Sequence, residues 1–75
     1  MDKKITIVYC VEWNYYPRAA SLAEAIKNGT DYETVLVPGR GGIFEVRMGD
    51  NLVFSKKVSG RFPKNTEILK ALNGS

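Results

Sequence analysis

Lys4-Ile5-Thr6-Ile7-Val8-Tyr9-Cys10 decides how this chain folds. The run is β-branched, aromatic and apolar on both alternating faces, which suits a strand inside a sheet rather than at its edge. After a loop from Val11 to Tyr16 the period changes. Ala19, Leu22, Ala23 and Ile26 recur at helical spacing, with Arg18, Ser21, Glu24 and Lys27 mostly opposite. This predicts a helix entered through Pro17 and stopped at Asn28-Gly29. Tyr32 to Val37 then reads as a second strand, closed by Pro38-Gly39.

Downstream, Gly41-Gly42 releases into Ile43 to Met48, where Phe44, Val46 and Met48 alternate with Ile43, Glu45 and Arg47. Gly49-Asp50-Asn51 supplies the positive φ that tight turns need, and Leu52 to Ser55 continues as a strand, so the two pair as an antiparallel hairpin. Ser59 to Pro63 is a loop, and Asn65 to Leu72 a closing helix with Ile68, Leu69 and Leu72 facing inward. Tyr9 and Tyr32 fall inside strands, and Lys56-Lys57 ends an edge strand, where lysines discourage edge-to-edge pairing. The order is β-α-β-β-β-α. Strands joined by a helix run parallel, so a four-stranded mixed sheet with both helices on one face is expected, the minimal thioredoxin-like α/β (α+β) arrangement.

The 75 residues make one domain, 1–75, with no room for a second core. Hydrophobic residues are 44% and charged residues 25%, a globular composition. No apolar run approaches the ~20 residues of a membrane span, and Lys3-Lys4 with the short run after it does not make a signal peptide. The reading is cytoplasmic, with no membrane partner. Eleven basic against eight acidic residues leave +3, scattered rather than striped, so nucleic acid is not the expected partner. Tyr15 and Tyr16 beside Trp13 keep base stacking as a minor alternative. With no His and one Cys, an internal disulfide and a zinc-type metal site are excluded. Chemistry must rest on Cys10, carboxylates, Lys or Tyr. Pro38-Gly39-Arg40-Gly41-Gly42 leads into a strand instead of a helix, so it is a flexible connection and not a phosphate cradle. Pro38 reads as a plain trans strand terminator.

Cys10 lies where the first strand meets the loop into the first helix. Ligands of open α/β sheets bind at such strand ends, and a thiol under the positive end of a helix dipole ionises more readily. Position alone leaves two alternatives open, a reactive thiolate or a small buried hydrophobe.

Tyr9-Cys10-Val11-Glu12-Trp13-Asn14-Tyr15, followed by Pro17-Arg18-Ala19, resembles the redox loop of the selenoprotein W-like (Rdx) family. Gly41-Gly42-Ile43-Phe44-Glu45-Val46, Phe54-Ser55-Lys56-Lys57 and Gly60-Arg61-Phe62-Pro63 are similar to later segments of that family, in order and at matching spacing from Ile5 to about Leu72. The resemblance implies a thioredoxin-like fold and a thiol-disulfide oxidoreductase role, with no bound cofactor and with glutathione or a thiol-containing protein as partner. It also implies that Cys10 and position 13 form the redox pair, with Glu12, Tyr15, Arg18 and Phe62 as candidate substrate-binding residues.

Position 13 departs from the pattern. The family carries Cys or selenocysteine there, and indole cannot release a mixed disulfide. Three readings follow. Position 13 is natively selenocysteine, whose UGA codon is one base from the UGG of tryptophan. Alternatively, Cys10 acts alone through glutathione, whose carboxylates Arg18, Arg40 or Lys57 hold beside the Gly39 to Gly42 backbone. In the third, redox function is lost and Trp13, Tyr15, Tyr16 and Phe62 form an exposed aromatic patch for a protein partner.

Overall fold

The computed structural model describes residues 4–73. Strand β1 (Lys4–Cys10) enters helix α1 (Tyr16–Gly29) through the expected loop, and β2 (Glu33–Gly39), β3 (Phe44–Met48) and β4 (Asn51–Ser55) follow. A single helical turn, α2 (Lys56–Ser59), and helix α3 (Asn65–Asn73) complete the order. The sheet runs β2-β1-β3-β4. β1 pairs parallel with β2, from Lys4 opposite Glu33 to Cys10 opposite Gly39, and antiparallel with β3, from Ile5 opposite Met48 to Tyr9 opposite Phe44. The run that decides the fold is thus interior, with a neighbour on each side.

One core forms on one face of the sheet. Ile5, Ile7, Phe44 and Val46 meet Ala19, Leu22 and Ile26 of α1 and Ile68 and Leu72 of α3, all nearly inaccessible. The helical spacing of α1 puts those three residues on one stripe, and strand alternation puts Ile5 and Ile7 on one side. Each of the buried Ile, Leu and Phe side chains contributes roughly 2–5 kcal/mol relative to alanine.

Gly49 has φ +60° and Asp50 does not share its positive φ, the pattern of a two-residue type II′ hairpin turn. The ladder is irregular beyond it. Val46 faces Phe54 and Arg47 faces Leu52, so Val53 is an extra residue on β4. Such a bulge bends and twists the strand that carries it.

Three expectations need correction. Pro38 and Gly39 belong to β2 instead of closing it. β2 is an edge strand, and an edge tolerates a residue with no N–H to donate. Tyr32 lies just before β2, outside the ladder. Lys56 and Lys57 open α2 rather than ending β4. Ser55 caps this turn by accepting a hydrogen bond from the Val58 N–H at 3.4 Å, and a serine side chain competing for backbone donors in this way is a helix-start signal. The fold therefore carries three helices. No peptide bond among the described residues is cis, Pro38 included.

Candidate redox loop and the surface beside it

The loop after β1 is closed by its own backbone. Tyr15 N–H donates to the Cys10 carbonyl at 3.0 Å, Asn14 N–H to Val11 O at 3.0 Å, and Val11 N–H to Gly39 O at 3.1 Å. Asn14 takes the left-handed φ of +56° that this turn requires, a conformation asparagine tolerates better than most residues. Ala19 N–H then bonds Tyr15 O to start α1.

This closure decides between the two alternatives that the sequence leaves open at Cys10: the residue is 0% exposed, buried at the strand end and not a surface thiolate beneath the positive end of the helix. The chain returns to the strand end instead of running straight on. Tyr15 N–H, at the helix entrance, is engaged by the Cys10 carbonyl rather than by its sulfur. Trp13, three residues on, is 61% exposed. Of positions 10 and 13, it is 13 that meets solvent, and the thiol is the internal member.

Two contacts join the loop to the connection between β2 and β3. Glu12 Oε1 accepts a long hydrogen bond, 3.4 Å, from Gly41 N–H. The Trp13 ring lies on Gly42, where a Cβ would fall 2.7 Å from Trp13 Cζ3. Gly42 has φ +77°, so glycine is required there by both conformation and space.

Aromatic rings continue away from Trp13. Trp13 meets Tyr15 edge to face at 6.0 Å, Tyr15 meets Phe62 at 4.7 Å, and Phe62 meets Phe44 of the core at 5.3 Å. The Arg18 guanidinium lies 4.2 Å from the Phe62 ring centre. Lys56 Nζ stands 5.3 Å from Phe62 and 5.7 Å from Tyr15. Beside Phe62 a cleft of about 300 Å³ opens between α1 and the chain entering α3.

The structure therefore gathers Tyr15, Arg18 and Phe62 into one cluster next to Trp13. Glu12 stands apart, with Gly41. Tyr16 is exposed but turns to Tyr9, 5.6 Å away. Arg40 lines a different cleft with Val11 and Pro38, and Lys57 lies on α2. Arg18, Arg40 and Lys57 do not form one anion site. Sequence reasoning missed Lys56 as a member of this surface, and Phe44 as the ring that ties it to the core. A Ser-Lys-Lys stretch reads as a strand end until the α2 turn brings its first lysine over the rings.

The model of the Rdx family matches residues 4–73. The chain belongs to the Rdx family. This family includes selenoprotein W-like proteins and is generally concerned with thiol redox chemistry. A bovine (Bos taurus) relative, Migration and invasion enhancer 1, is 32% identical over 72 residues, 92% of this chain, and the chain spans 61% of that protein's length. A crystal structure from Bordetella parapertussis superposes with a TM-score of 0.87 at 30% identity, covering 95% of this chain and 94% of the other. The crystal structure of a selenoprotein W-related protein from Vibrio cholerae superposes at 0.85 and 25% identity, covering 95% and 92%. This Rdx chain thus shares the thioredoxin-like α+β fold of its neighbours across nearly its whole length.

Proposed function

We propose that this Rdx domain serves thiol-disulfide exchange with its two loop positions in fixed roles, position 13 facing the partner and Cys10 resolving from inside. The contrast in exposure carries the reading: 61% at Trp13 against 0% at Cys10. With a thiolate or selenolate at position 13, that group attacks a partner disulfide and expels one partner thiolate. The Cys10 thiolate then attacks the sulfur or selenium at position 13, releases the second partner thiol and leaves a bond between residues 10 and 13. Two glutathione thiols return the loop to its reduced state and leave as glutathione disulfide. Glutathione enters as reductant, in the reducing cytoplasm, and not as the direct partner of a surface Cys10.

In the chain as it stands, Trp13 occupies the attacking position, so the cycle requires a thiol or selenol there, which selenocysteine in the native protein supplies. The test is Trp13→Cys alongside the native codon. The variant is expected to lose two thiols on oxidation and to regain both with glutathione, while the tryptophan form exchanges with neither glutathione disulfide nor a protein disulfide. If Cys10 of the tryptophan form reacts as fast as free cysteine, position 10 faces the partner and the assignment is wrong. If Trp13→Cys folds but forms no disulfide, the loop lacks redox geometry.

A second reading belongs to a chain whose native codon is UGG. Trp13 is then a surface ring backed by Tyr15, in a domain that binds a protein partner without chemistry, since exposed Trp and Tyr dominate interface hot spots.

A further inference from the structure

We infer that the cleft beside Phe62 is a docking site for an acidic peptide segment of a partner protein, seating a carboxylate on Arg18 and an adjacent apolar side chain in the cleft. This goes beyond the redox reading and does not depend on what stands at position 13.

The charge pattern is the starting point. Arg61, near the cleft, has its bidentate partner in Glu67, at 2.9 and 2.7 Å. Arg18 and Lys56 have no carboxylate among the described residues. Both instead stand on the same ring, Phe62, at 4.2 and 5.3 Å. A guanidinium held against an aromatic ring keeps its N–H edge free and loses little further freedom when a carboxylate arrives. Arg18 is thereby preorganised for a bidentate anion, and Lys56 is a second cation on the same ring. α1 adds to this field, since it opens with neither an acidic residue in its first turn nor a side-chain cap.

Shape decides what accompanies the anion. The cleft has Pro17, Phe62 and Pro63 as apolar walls, over a floor of the buried Leu22 and Phe44. At its far side Asn65 Nδ2 donates to Ser21 Oγ at 3.1 Å, leaving amide and hydroxyl groups able to bond a peptide backbone. About 300 Å³ is the lower end of ligand-site volumes, room for one aliphatic side chain and its backbone. A nucleobase fits less well. Phe62 is already contacted by Tyr15, Phe44, Arg18 and Lys56, so it offers no free face for stacking, and two unpaired cations make a weak phosphate track. The aromatic chain Phe62-Tyr15-Trp13 places a peptide bound here beside position 13.

The test is an amide NMR titration of the full chain with a blocked hexapeptide carrying two glutamates and two leucines, against the same peptide with glutamines, and against oligothymidylate. Shifts are expected at Arg18, Ser21, Phe62 and Asn65 with the acidic peptide. Affinity should fall about tenfold with the glutamine peptide and about tenfold in Arg18→Gln, the loss expected when a charge-assisted hydrogen bond goes. Lys56→Gln should cost about threefold, as for an exposed ion pair. Arg18 is exposed and Lys56 half-buried, neither in the core, and circular dichroism confirms folding. Trp13→Cys should bind the acidic peptide as well, so a failed redox cycle leaves this result standing, and the reverse holds too. Equal affinity for the two peptides, no shifts at millimolar peptide, shifts centred elsewhere, or tighter binding of oligothymidylate would each overturn the inference.

Discussion

Gly42 is where the redox loop and the β2–β3 connection touch, and Gly42→Ala paired with Gly41→Ala separates two costs of changing that point. One is backbone conformation. Gly41 has φ +71° and Gly42 φ +77°, and an L-residue held in the left-handed region costs roughly 1–2 kcal/mol. The other is contact. A Cβ at Gly41 meets nothing within 4 Å, whereas at Gly42 it falls 2.7, 3.0 and 3.1 Å from three atoms of the Trp13 ring. The ring must move, and with it goes the edge-to-face contact with Tyr15 at 6.0 Å, a kind of pair worth about 0.5–1.5 kcal/mol. Gly41→Ala should therefore destabilise by roughly 1–2 kcal/mol and Gly42→Ala by about 1 kcal/mol more. In a domain this small, that extra loss is a Tm lower by roughly 4–8 °C. Thermal melts measure both, and the emission of Trp13, the chain's one tryptophan, should shift for Gly42→Ala and stay put for Gly41→Ala. On a Trp13→Ala background the two alanine variants should melt alike. Equal melting with Trp13 present, and unchanged emission, would refute the packing of Trp13 on Gly42.

Three further outcomes follow from the same structure. Because Cys10 is sealed, modification by an aromatic disulfide reagent should be slow in native buffer and should accelerate with urea in step with unfolding; a stoichiometric burst before the transition would contradict the burial. The Glu67 carboxyl is held at about 2, below its ordinary 4.5, first by the hydrogen bond from Arg61 and then by the Lys64 N–H. Its folded value is the depressed one, so its contribution is present above 4.5 and lost as pH falls toward 2. Wild type should outlast Glu67→Gln on heating at pH 7, with the gap closing near pH 2 and shrinking in high salt because both groups are exposed. Ser55→Ala, which removes the α2 cap, should cost about 0.5–1 kcal/mol in urea melts, the low end for a cap because the bond is long; no loss would mean that α2 stands without it.

Much of this molecule is readable along one dimension. Ile5 and Ile7 against Leu22 and Ile26, the parallel return through α1 and the Gly49 hairpin all follow from periods of two and 3.6 and from turn chemistry, interactions that reach only a few residues along the chain. The places where reading failed share a cause. Pro38 reads as a stop, yet a missing N–H costs a ladder bond only on the side where a strand lies, and β2 has β1 on one side alone. Lys56 reads as an edge residue because the Ser55 cap acts through a hydrogen bond that charge patterning does not register.

The loop was found from its residues, but its polarity was not. The sequence by itself determined that a lone thiol ends the central strand and that position 13 lies three residues beyond it, and the family resemblance made Arg18 and Phe62 candidate binding residues. Only the tertiary structure decided that the thiol is the internal member and that Arg18, Lys56 and Phe62 stand together. The physical reason is that burial and ring contact depend on distances between residues dozens of positions apart, set by how helix, sheet and loops pack, and no local pattern carries those distances.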